Sequence, residues 1–301
     1  MSNPRIRYRL QTGLSGLPAP GGKPLICQIV VNVEAWGFAD AMPRTVLPSP
    51  HGVRAVPDVP NFSWVEYGMR RGLPRIMQAL RARGLPAAVS LNASVIEIYP
   101  EAAEAIRGEG WEFVGHGYRQ RTLQSEEDER AVIERALSAI AAFTGTRPRG
   151  WLGPGLQESF ETPDILKAAG VDYVLDWTVD DVPTWLDTAA GRMVAVPYTL
   201  DINDSVIYAV ERHSSPEMYQ RVVDTLSVFD RETAGDPRVL TLALHPHLIG
   251  VPHRVVYLEK MLDLLCARRD AVFMTGAQIA DWFLAASPPA GEQAGEKRDA
   301  G

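Results

Sequence analysis

Four side chains in this sequence have the chemistry to move protons around a breaking bond: Glu34, His116, Asp181 and His245. Carboxylates and imidazoles are the usual general bases and acids, and an imidazole titrates near neutrality without help. Each follows closely on a short apolar run. The first run ends in Asn32-Val33-Glu34-Ala35-Trp36, where strand alternation puts Asn32 and Glu34 on one side. His116 opens His116-Gly117-Tyr118-Arg119-Gln120, Asp181 stands in Asp180-Asp181-Val182-Pro183, and His245 in His245-Pro246-His247. Taken singly, a histidine at a strand end is more often a satisfied hydrogen-bonding residue, and Asp180-Asp181 before Val-Pro could be a turn device. Glu34 resists such an explanation, because a carboxylate directly after a buried strand is costly unless paired, hydrogen-bonded or liganded.

The elements that must position these residues alternate along the chain. Residues 26–33 are β-branched and apolar throughout, as in a strand buried on both faces. A long irregular stretch with five prolines follows (residues 37–62), and loops of that length usually build a site or meet a partner. Further strands are predicted at 87–91, 112–114, 149–152, 173–176, 193–196, 206–209, 239–244 and 271–274, those at 193–196 and 206–209 being a candidate hairpin. Helices are predicted at 67–83, 100–107, 125–143, from the Thr162-Pro163 pair to Gly170, and at 216–231, 254–267 and 277–285. This βα alternation predicts an α/β fold, a single distorted (β/α) barrel, with functional residues at the carboxyl ends of its strands. The barrel is expected over residues 25–286, preceded by an extended Gly/Pro-rich arm (1–24) and followed by a flexible polar tail (287–301).

Bulk properties narrow the partners. The chain has 301 residues, 46% of them hydrophobic, and a formal net charge of -7. With no Lys/Arg-rich run, a nucleic-acid partner is not expected. Cys27 and Cys266 form no CxxC pair, and Cys27 reads as an inert core thiol. The first residues lack the apolar region of a secretory signal, and no run approaches the roughly 18 apolar residues of a membrane span, so no membrane association is expected and a cytoplasmic setting is the default.

In their joint order, the segments Val31-Asn32-Val33-Glu34, Glu66-Tyr67-Gly68-Met69-Arg70, Gly115-His116-Gly117-Tyr118, Trp151-Leu152-Gly153-Pro154-Gly155, Asp176–Pro183, Val196-Pro197-Tyr198 and Leu244-His245-Pro246 resemble the polysaccharide deacetylase (NodB-homology) superfamily over roughly residues 25–285. They look most like its branch of allantoinases and cyclic-imide hydrolases. The departures are as informative. Where the sugar deacetylases carry two adjacent aspartates after the first strand, this chain has Asn32 and Glu34; Gln120 stands where a second metal-binding histidine is usual, and Leu152 where an arginine is usual. Glutamine is a poor zinc ligand. The resemblance therefore implies no tightly held cofactor; a divalent metal such as zinc, if bound, would use Glu34 and His116. It also implies a homo-oligomer, as a tetramer.

The implied reaction is hydrolysis of a non-peptide amide, or of a cyclic amide or imide, in a small molecule. His245 would be the acid, Glu34 or Asp181 the base, and His116 would orient or stabilise the oxyanion. Asn32, Arg70, Gln120, Trp151, Asp180 and Trp185 are the candidate substrate-binding residues: Arg70 as a planar fork for a carboxylate or ureido group, the tryptophans, with Trp177, as walls for a flat ring. Two rivals stand beside this expectation: a metal-dependent deacetylase of an N-acetylated sugar, and an inactive barrel serving as a binding subunit.

Overall fold

A computed structural model describes residues 3–49, 55–232 and 235–287. The 287–301 tail, Ser287 apart, lies outside the described residues. Strand β1 (Leu25–Val33) is buried at all nine positions. Its alternation sorts the side chains onto two faces. Cys27, Ile29, Val31 and Val33 join the large core between sheet and helices. Ile26 and Val30 join a second core inside the curl of the sheet. The inner column therefore runs Ile26, Gln28, Val30, Asn32 and ends at Glu34.

Helix α1 (Val59–Tyr67) and helix α2 (Leu73–Arg81) are one continuous rod joined by a π turn, Gly68–Gly72. Asp58 starts the rod by accepting from the backbone of Asn61, so the helix begins eight residues before the expected position 67. Pro74 has no N–H to return to Arg70, and the helix widens just before it. The chain continues through β2 (Ala88–Leu91), α3 (Val95–Ile98), α4 (Pro100–Gly108), β3 (Glu112–Gly115) and α5 (Glu129–Thr144). α5 is capped by Asp128, so it begins at Glu129, four residues after the expected position 125. Then follow β4 (Gly150–Trp151), α6 (Thr162–Ala168), β5 (Tyr173–Val174), β6 (Thr184–Thr188), β7 (Gly191–Ala195), α7 (Glu217–Glu232), β8 (Arg238–Leu244), α8 (Pro252–Cys266), β9 (Ala271–Phe273) and α9 (Gly276–Ala286).

The strands form one curled sheet in the order β6-β7-β5-β4-β3-β2-β1-β8, parallel except for the β6–β7 hairpin. β9 pairs with the first residues of β1, and β2 with the last ones. α9 supplies Ile279, Ala280 and Phe283 to the core inside the curl. The hairpin differs from the expected one: β7 pairs with β6, while Ser205–Val210 is a π-helical turn. The amino-terminal residues run over the body without regular structure beyond a turn at Pro20–Gly22. They are fastened by Arg5 to Asp164 (2.8 Å) and by the Ser15 hydroxyl to Asp236 (2.7 Å).

Candidate active site

A cavity of about 170 Å³ opens where β1, β3, β4 and β8 end. Glu34, His116 and His245 all line it. Glu34 Oε2 accepts a hydrogen bond from the indole of Trp36 (2.7 Å), which turns Oε1 inward. That oxygen stands 3.8 Å from His116 Nε2 and 3.6 Å from His245 Nε2. These separations exceed direct hydrogen bonds and suit a bridging water or substrate atom.

Both imidazoles have their other nitrogen committed. His116 Nδ1 donates to the carbonyl of Leu152 (2.6 Å), which lies just past β4. This fixes its tautomer and leaves Nε2 as the acceptor; that atom has no hydrogen-bond partner and is buried. His245 Nδ1 meets Asp204 Oδ1 at 2.6 Å, and Asp204 Oδ2 accepts from the backbone N–H of His245 (2.7 Å) and of Ile249 (3.2 Å). Asp204 is wholly buried.

The charges follow from this arrangement. Burial lowers the pKa of His245, but Asp204 outweighs it, with help from Glu34, and raises it to about 9. His245 is therefore an imidazolium at neutral pH. Burial alone would favour a neutral Glu34; the facing His245 imidazolium opposes that, and the carboxyl is held well below the usual range. Burial also keeps the Tyr198 phenol protonated. Tyr198 lines the cavity and accepts from Asn32 Nδ2 (2.8 Å).

Asn32 is locked further by Leu244 O (3.2 Å) and the Ser90 hydroxyl (3.0 Å), so it braces Tyr198. Gln120 reaches the cavity wall, its amide oxygen accepting from Asn92 (3.1 Å). Asn92 also donates to the His116 carbonyl and accepts from the Ala35 N–H, tying the ends of β1 and β3 together.

Other expected residues lie elsewhere. Asp181 is not at the cavity: its carbonyl accepts from Val239 N–H at the start of β8 (2.8 Å), and its carboxylate lies 4.0 Å from Arg238. Nearly the length of β8, about 20 Å at the usual rise per residue, separates Val239 from His245. The carboxylate beneath His245 is Asp204 instead. Asp180 accepts from Gln11 of the arm (2.9 Å). Arg70 is exposed on the helical rod and pairs with Glu66 (2.8 Å), four residues back. Trp151 is wholly buried in the core between sheet and helices, under Gly115. Trp185 packs on Phe283 (5.3 Å between rings), and Trp177 donates to Glu158 (2.8 Å). The tryptophan that does line the cavity is Trp36.

The donor set does not match a zinc centre. Glu34 and His116 are two donors, the third position offers the amide of Gln120, and His245 is held as a cation by Asp204. Among the described residues no group of three His, Cys, Asp or Glu is placed to hold a metal ion.

Residues 63–174 match the polysaccharide deacetylase family. Over those residues the chain is similar to polysaccharide deacetylase domains. A Schizosaccharomyces pombe protein named as a polysaccharide deacetylase is 26% identical, covering 92% of this chain and 97% of its own length. A Pseudomonas aeruginosa PAO1 structure described as a polysaccharide deacetylase is 28% identical, with a TM-score of 0.77, over 89% of this chain and 94% of that one. The crystal structure of an allantoinase has a TM-score of 0.80 at 24% identity, over 93% of this chain and 99% of that one, a likeness of fold. Family members hydrolyse carbon–nitrogen bonds other than peptide bonds, and this deacetylase-type chain is an enzyme of that class. Among the described residues, no helix is long and apolar enough to cross a membrane.

Proposed function

We propose that this hydrolase opens the amide or cyclic imide bond of a small molecule by water attack between two imidazoles of opposite protonation. The observation that carries the reading is Glu34 Oε1 facing two Nε2 atoms whose partner nitrogens are fixed by Leu152 O and Asp204. A water donating to Glu34 Oε1 and His116 Nε2 keeps a lone pair free for a carbonyl carbon. Glu34 stays ionised and holds that water, while His116 Nε2 takes its proton. The developing oxyanion is met by the Nε2–H of His245 and the hydroxyl of Tyr198. His245 then passes its proton to the leaving nitrogen, and Asp204 keeps the ring in the donating orientation.

The small cavity favours a compact substrate over a polymer chain, which could insert only one group. A cytoplasmic setting and a homo-oligomer belong to the same proposal and rest on the family resemblance. The test is a substrate screen with purified protein, assayed with and without added zinc. Ring opening of hydantoin-, imide- or allantoin-like compounds is expected. Glu34→Gln and His245→Ala should each lower kcat by about 10²- to 10⁴-fold. Acetate release from N-acetylated sugar oligomers, with no ring opening, would replace this reading by the sugar-deacetylase one. Ligand binding without any turnover would favour a binding subunit.

A further inference from the structure

The proposed bond cleavage uses only part of the cavity. The rest of its wall includes Arg44 and His247, which take no part in those steps. His247 is only 5% exposed. Its ring is held edge-on by Trp36 (5.7 Å) and Trp64 (5.4 Å) and lies 5.8 Å from the His245 ring. Neither of its nitrogens has a hydrogen-bond partner among the described residues. The ring nitrogens are not sealed off in the interior, so they stay open to a hydrogen-bonding group of a molecule in the cavity. Its backbone is closely packed: a Cβ at Gly68 would come 2.5 Å from the backbone nitrogen of His247, and one at Gly72 would clash with Pro246 O. Burial and the nearby His245 cation push the His247 pKa down to about 3, so the ring is neutral, one nitrogen donating and the other accepting.

Arg44 is the second unused group. Its neighbour on the wall, Arg121, is tied to Asp40 (3.3 Å), but Arg44 has no ion pair among the described residues. Arg44 is exposed at the cavity wall, so its guanidinium is open to an anionic group that enters there.

We infer that the cavity takes a substrate bearing a carboxylate, held by the guanidinium fork of Arg44 with His247 hydrogen-bonded to the same part of the molecule. The substrate class is then a small acidic amide or imide. This inference rests on the hydrolase reading and names its substrate. Arginine suits the role because its planar donors match both carboxylate oxygens at once.

The experiment compares hydantoin-5-acetic acid with hydantoin-5-acetamide, which share the ring and differ in charge. The acid is expected to show a kcat/KM about tenfold or more above the acetamide. Arg44→Ala should collapse that ratio toward one, chiefly through KM, and Arg44→Lys should restore part of it. His247→Phe, which keeps the ring packing, should also raise KM for the acid. An unchanged ratio in Arg44→Ala overturns the inference. If neither ring opens, titration of the tryptophan fluorescence with the acid still decides. Binding that weakens at least about tenfold in Arg44→Ala sustains the carboxylate site and counts against the hydrolysis reading alone. Absent binding, or an unchanged Kd, overturns the site as well.

Discussion

Asp204 decides what His245 can do. An imidazole in that much burial would ordinarily be neutral and a poor acid, yet the carboxylate bonded to Nδ1 holds the proton up to a pKa of about 9. The folded pKa lies above the usual histidine value of about 6.5, so the acid form is complete below that value and is lost as pH rises through about 9. Turnover should therefore hold across neutral pH and fall on the alkaline side near pH 9. Asp204→Asn keeps a hydrogen bond but removes the anion. The alkaline limb of the kcat profile should then move down toward about pH 6.5, with kcat reduced at neutral pH. An alkaline limb left near pH 9 in that variant would remove Asp204 from the positioning role.

The helical rod and the loop after β8 are built as a pair. The rod presents Gly68 and Gly72 to that loop, and Gly250 of the same loop lies against Gly72, so backbone meets backbone without side chains between. Gly72→Ala should cost about 1–3 kcal/mol of stability through overpacking, read as a lower Tm. It should also disturb His247, which the same contact seats. A variant as stable as the parent would mean that the rod can shift freely. Where the segment after β5 meets the loop after β4 there is a different device. Burial drives the Asp176 carboxyl well above its usual range, reinforced by its neighbour Glu158, while its oxygens accept from the Gly153 N–H (2.8 and 3.0 Å). Since the folded pKa is raised, the protonated form contributes stability that is full below the unfolded value and lost as pH rises through the folded one. Asp176→Asn should flatten that decline, so its Tm advantage over the parent grows from acid to alkaline pH. An advantage that stays constant across pH would refute the assignment.

These elements were unequally legible. The all-apolar run of β1 and the βα alternation announced the barrel, because a strand buried on both faces leaves no polar positions to confuse the period. The run 206–209 offered only four apolar residues, too few to tell a strand from a helical turn. Asp204, two residues ahead of that run, was hidden by the misreading.

At the scale of the molecule, Glu34, His116 and His245 were readable because each sits one residue past the end of a strand, where a parallel barrel gathers its chemistry. Asp181 failed the same rule because β5 ends at Val174, and the long connection beyond it reaches the start of β8 rather than the mouth. The spatial path of a connection is not written in local pattern. Trp151 and Trp185 failed for a related reason: strand position says that a side chain is buried, but not on which face of a curled sheet.

The three-way pairing of β1 also sets an order of events during synthesis. β2 arrives early, but β8 and β9 arrive late; the Gln28–Thr241 contact spans 213 residues. At the ribosome's roughly 5–20 residues per second, β1 waits on the order of 10–40 s for β8, and longer for β9. Throughout that interval β2 can cover only its last four residues, and the first five, Leu25 to Ile29, remain an unpaired, aggregation-prone apolar segment. Ribosome-bound chains ending before Arg238 should leave this segment open to protease, whereas chains released after Ala286 should protect it. Protection in the shorter chains would show that the first half of the barrel closes on its own.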